Sequence, residues 1–112
     1  MVKDIDGINV HYEVKGSGKY VFILHGWGAN ISVYRSVADL LSQKFTVVSL
    51  DFPGFGGTAE PPEVWSVSDY AAFTVKFIAS FGVKEVILFG HSFGGRVIIK
   101  MASMQDLPFD IS

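Results

Sequence analysis

Cysteine is absent from the 112 residues, which rules out disulfides, thiolate metal centres and a cysteine nucleophile. Neither sign of charge dominates, since nine Lys and Arg stand against eleven Asp and Glu for a formal net charge of -2. Nucleic acid and anionic membrane surfaces both call for a basic stripe, and the basic residues here are scattered, so neither is an expected partner. No apolar run approaches the roughly 18 residues that suggest a membrane span. The polar N-terminus does not read as a signal peptide, so a soluble cytoplasmic protein is the expectation. Internal repeats, linkers and low-complexity stretches are also missing. What the chain does have is core material: 49% of its residues are hydrophobic, ten of them Phe. Disorder is therefore excluded, and residues 1–112 are expected to form one domain.

The hydrophobic pattern changes period along the chain. Ile8, Val10, Tyr12 and Val14 alternate with polar residues as in a half-buried strand, and Asp6-Gly7 predicts a hairpin turn back to 2–5. Tyr20 to Leu24 is apolar without alternation, as expected for a strand covered on both faces. Ile31, Tyr34, Val37, Leu40 and Leu41 recur at helical spacing, and 45–50 forms another apolar strand. Ser66 and Asp69 make a capping-box-like start to a helix carrying Tyr70, Phe73, Phe77 and Phe81, which Gly82 ends. Val86 to Phe89 is a further apolar strand. A helix over 96–104 follows, apolar nearly all round and so expected to be buried on most sides. The tail from Gln105 to Ser112 carries no clear signal. Alternating strands and helices predict an α/β fold, a three-layer α/β/α sandwich with a mostly parallel sheet entered by an antiparallel hairpin.

In such sheets ligands gather at the carboxyl ends of the strands. Three Gly-rich loops, 25–28, 51–58 and 90–95, follow such ends and should crowd one rim. Gly90-His91-Ser92-Phe93-Gly94 is a G-x-S-x-G between a predicted strand and a predicted helix, the context of a nucleophile elbow. The helix that follows aims the positive end of its dipole at the same place. The alternative reading makes Ser92 a plain helix N-cap. His25-Gly26-Trp27-Gly28 can present a backbone N–H to a substrate carbonyl, and with the N–H of Phe93 this would form an oxyanion hole. The His25 ring itself is expected to be structural, bonded to the neighbouring loop. Gly16-Ser17-Gly18-Lys19 precedes a strand and is read as a plain turn, not a phosphate loop.

These segments, together with 6–12 and 51–58, resemble the α/β-hydrolases, in particular single-domain serine esterases and carbon–carbon bond hydrolases. The resemblance covers the chain to about Met104 and implies hydrolysis of a carboxylic ester or related acyl bond. It casts Ser92 as nucleophile and the Trp27 and Phe93 amides as the oxyanion hole, with His25, Gly26, Gly28, Gly90, His91 and Gly94 in support. No metal or organic cofactor is implied. Aromatic residues at the rim, Trp27, Phe55, Phe93 and Trp65, hint at an apolar acyl or aryl substrate.

The family's triad runs Ser, then Asp or Glu, then His. After Ser92 only Asp106 and Asp110 follow, read as solvated tail carboxylates, and no histidine at all. His11 is expected on the outward face of its strand, and the His91 ring is expected to point away from the hydroxyl. The chain thus reads as the N-terminal half of the family pattern, ending after the helix that follows the elbow, with triad acid and base missing. In that half the far edge of Val86–Phe89 would be open, and a bare edge strand recruits another chain. A second copy or a complementing C-terminal half is the expected partner, beside a small-molecule ester. Two other functions stay open: a catalytically incomplete scaffold for binding or assembly, and a dinucleotide-binding module. The latter rests on Gly26, Gly28 and Asp51, with Ile31 standing where its third glycine should be.

Overall fold

A computed structural model describes all residues from Met1 to Ser112. Six strands form one sheet: β1 (Val2–Ile5), β2 (Ile8–Lys15), β3 (Tyr20–Leu24), β4 (Thr46–Leu50), β5 (Glu85–Gly90) and β6 (Asp110–Ile111), in the order β1-β2-β4-β3-β5-β6. The first two form the expected hairpin, turning through Asp6 and Gly7, both at positive φ, as the twist of a two-residue connection requires. β3 is central, parallel to β4 on one side and to β5 on the other. Its residues split by parity: Phe22 and Leu24 enter the main core, while Ile23 joins a smaller cluster on the opposite face.

Three helices cover those faces. α1 (Arg35–Leu41) packs Ala38 on Ile23 and Val47. α2 (Val67–Ala79) and α3 (Phe93–Ala102) lie together on the other side, where Phe77, Ile78, Val97 and Met101 are fully buried. The result is the three-layer α/β/α arrangement. A web of edge-to-face rings, Tyr12 and Phe22 on Phe77 and Phe81, ties sheet to α2. The α2 start is a complete capping box: Asp69 N–H donates to Ser66 Oγ, and Ser66 N–H donates to the Asp69 carboxylate at 2.8 Å. Asp thus fills the position that Glu or Gln usually takes. No helix is long and apolar enough to cross a membrane.

Four expectations need correction. The 31–41 helix is split: Asn30 caps a 3₁₀ turn (Ile31–Tyr34), and Tyr34 at φ -110°, ψ 15° interrupts helical geometry before α1. α3 begins at Phe93, directly on the elbow, and is buried along one stripe only. Gly94, Val97 and Met101 face the core, whereas Ile99 is 74% exposed because α2 flanks α3 on a single side. His11 does not stand free on an outward face; it is half-buried and bonded to Asp51. Nor is the far edge of β5 bare along its length. Phe109, 4% exposed, anchors the tail in the core, so that β6 pairs in parallel with Glu85 and Val86. Only the part of that edge nearer Ser92, from Ile87 to Gly90, has no strand beside it.

Candidate active site

β3, β4 and β5 run parallel, so the loops leaving their carboxyl ends meet at one rim. Ser92 stands there between β5 and α3 at φ 55°, ψ -110°. A non-glycine residue held at positive φ stores about 1–3 kcal/mol of strain, kept only where the surroundings enforce it. Here they do. A β-carbon at Gly90 would lie 2.7 Å from the Gly94 carbonyl carbon, and one at Gly94 would lie 2.0 Å from the Leu24 carbonyl oxygen. Both glycines exist to let strand, turn and helix touch. Ser92 stands at the N-cap position of α3, but its exposed side chain makes no capping hydrogen bond, in contrast to that of Ser66.

The second loop lies against this turn. A β-carbon at Gly26 would come within 3.4 Å of the His91 carbonyl and 3.6 Å of Ser92 Cβ. The Trp27 and Phe93 amide N–H groups donate to no other group of the chain, and the two rings pack edge to face at 5.1 Å. His25 is 1% exposed. Its Nε2 accepts from Phe52 N–H at 2.9 Å, so the proton sits on Nδ1, which donates to the Gly26 carbonyl at 2.7 Å. The imidazole is a neutral brace between two loops, as the sequence suggested. Burial, which disfavours the charged ring, holds its pKa below the usual histidine value, against the opposing pull of the Gly26 bond and the Asp51 charge.

That shift has a sign. The unfolded chain takes up a proton near pH 6.5, while folded His25 resists it, so its stabilising share is present above that pH and lost as pH falls toward the lower folded value. Urea midpoints measured from pH 7.5 to 5.5 are expected to decline, with a shallower decline in His25→Gln. Identical slopes would contradict a buried neutral ring.

Asp51 is the residue whose role the sequence hid. It is 2% exposed at the end of β4, and its carboxylate accepts from Ile31 N–H at 2.8 Å, Gly57 N–H at 2.9 Å and His11 Nδ1 at 2.8 Å. It thereby clamps the start of the 3₁₀ turn, the Gly-rich loop and strand β2. A β-carbon at Gly56 would stand 2.3 Å from that carboxylate, so this glycine makes room for it. The only legible sign was an acid at a strand end before a Gly-rich run.

His91 is exposed and faces Tyr34 at 6.1 Å between ring centres. Asp106 is exposed in the tail. Asp110 pairs opposite Glu85, which five strand steps put about 16 Å from Gly90. No group of acids and histidines is arranged to hold a metal.

A strained serine between a parallel strand and a helix, backed by a glycine loop from the neighbouring strand, defines a hydrolase-type elbow. Residues 19–109 match the alpha/beta hydrolase fold family, and the chain belongs to that family. It is 34% identical over 100 residues to the dihydrolipoyllysine-residue acetyltransferase component of the acetoin cleaving system of Cupriavidus necator, covering 88% of this chain and 27% of that protein. It is 32% identical over 107 residues to a fluoroacetate dehalogenase of a Burkholderia species, covering 88% and 34%. Among solved structures, an epoxide hydrolase without ligand superposes with a TM-score of 0.90 at 28% identity, over 99% of this chain and 38% of that one. The chain thus spans about a third of the length of these relatives.

Proposed function

We propose that the protein acts on a carboxylic ester or related acyl bond through an acyl-serine on Ser92. The observation that carries this reading is the uncapped, exposed Ser92 hydroxyl held at φ 55° over the N-terminus of α3. Oγ attacks the carbonyl carbon, and the resulting oxyanion is received by the N–H groups of Trp27 and Phe93. Collapse expels the alkoxide, which takes a proton. Water then attacks the acyl-serine, releasing the carboxylate and returning the proton to Oγ. Relatives of this fold include proteins named for epoxide and carbon–fluorine substrates. A serine attacking either of those would be left as an ether, which water does not readily reopen, so a serine at this position favours acyl chemistry.

Both His25 nitrogens are engaged and His11 is held by Asp51. These engagements support the inference that the general acid and base come from outside these 112 residues, from a second copy or a complementing C-terminal segment. The far edge of β5 from Ile87 to Gly90 has no strand beside it, which supports docking of such a partner there.

The test is hydrolysis of nitrophenyl acetate by the chain and by Ser92→Ala across a range of protein concentrations. The expected result is a fall to uncatalysed background in the variant, at least about 100-fold given what nucleophile removal costs in serine hydrolases, with an unchanged circular dichroism spectrum. Specific activity should rise with concentration if a second copy completes the site. Equal activity in the two proteins would remove Ser92 from the reaction, and no turnover in either at any concentration would rule out completion of the site by a second copy.

A further inference from the structure

Both tryptophans of the chain line one groove of about 510 Å³ beside the elbow, between the 51–58 loop and the start of α2. Phe55 and Tyr70 extend the aromatic lining. Trp27 meets Phe55 at 4.7 Å and 75°, and Trp65 meets Tyr70 at 5.1 Å and 79°. Neighbouring walls thus stand nearly at right angles. The groove lies one ring from the elbow, since Phe93 packs on both Trp27 and Tyr70 at 5.1 Å. Its only charged side chains are Glu60 and Glu63. Neither takes part in an ion pair, and no Lys, Arg or His shares the lining.

An apolar acyl chain has no use for two unpaired carboxylates, and an anionic group would be repelled by them. A cation with an apolar skin meets both features, because the ring faces carry negative potential and the carboxylates supply charge. We propose that this groove is a subsite for a substituted ammonium group on the substrate. The proposal takes its place in the reaction from the acyl-serine reading, but the binding it asserts is independent of turnover.

Because the only two tryptophans both line the groove, intrinsic fluorescence reports on it directly. The chain and its Ser92→Ala variant are titrated with choline and with its neutral isostere 3,3-dimethylbutanol. Choline is expected to shift tryptophan emission in both proteins and to bind about tenfold more tightly than the isostere. The exposed double variant Glu60→Gln, Glu63→Gln should weaken choline about threefold and leave the isostere unchanged. Equal affinity for the two probes, or no emission change with either, would overturn the subsite. Choline binding alongside ester hydrolysis that is equal in the chain and in Ser92→Ala would instead leave the subsite standing and remove the acyl-serine reading.

Discussion

Adding one methyl group at Gly94 is expected to cost about 3 kcal/mol or more, at the upper end of what overpacking does. The reason is the identity of the atoms it would strike. They are the Leu24 carbonyl oxygen at 2.0 Å, the Leu24 carbonyl carbon at 2.7 Å and the His25 carbonyl oxygen at 3.0 Å, all main chain. β3 is hydrogen-bonded on both sides, so it cannot withdraw without disturbing the centre of the sheet. A domain of this size has only about 5–15 kcal/mol of stability in total, so Gly94→Ala should lower the urea midpoint severely. The adjacent glycine is the control. A β-carbon at Gly95 meets nothing nearer than 4.0 Å, inside α3, and Gly95→Ala is expected to gain up to about 1 kcal/mol from helix propensity. Similar effects at the two positions would show that α3 does not press on β3 as described.

The second large effect is expected at Asp51. Replacing it by alanine strands two backbone N–H groups and the His11 ring nitrogen, of which the Ile31 donor is fully buried. With each orphaned donor costing about 1–3 kcal/mol, and the two half-buried ones at the lower end, Asp51→Ala should lose about 3–5 kcal/mol. Asp51→Asn should recover part of it, because one amide oxygen still accepts while the NH₂ faces donors. Denaturant midpoints at constant slope measure this. A loss under about 1 kcal/mol would mean water replaces the carboxylate, and that the three segments are not held together by it.

How far the sequence revealed all this depended on the distance over which each feature is encoded. The elbow was legible because its demands are local: Gly90, Ser92 and Gly94 lie within five residues, flanked by an apolar strand and a helix. The layered sheet was legible because β3 and β5 show unbroken apolar runs while β2 alternates. The Asp51 clamp was not, since its partners lie 20 and 40 residues back along the chain and six ahead, and only folding brings them together. β6 was missed because two residues cannot display a period, and its position is set by burial of Phe109. The one-sided burial of α3 escaped notice because apolar residues all round a helix say nothing about how many neighbours arrive to cover them.

The claim that Ser92 carries the acyl group is tested most directly by finding where the group goes. The protein is mixed with nitrophenyl acetate, quenched in acid and digested, and the acetylated peptides are identified by mass. The account predicts acetyl on Ser92, absent from Ser92→Ala and accumulating before hydrolysis. Acetyl found only on surface lysines, to the same extent in both proteins, would contradict it.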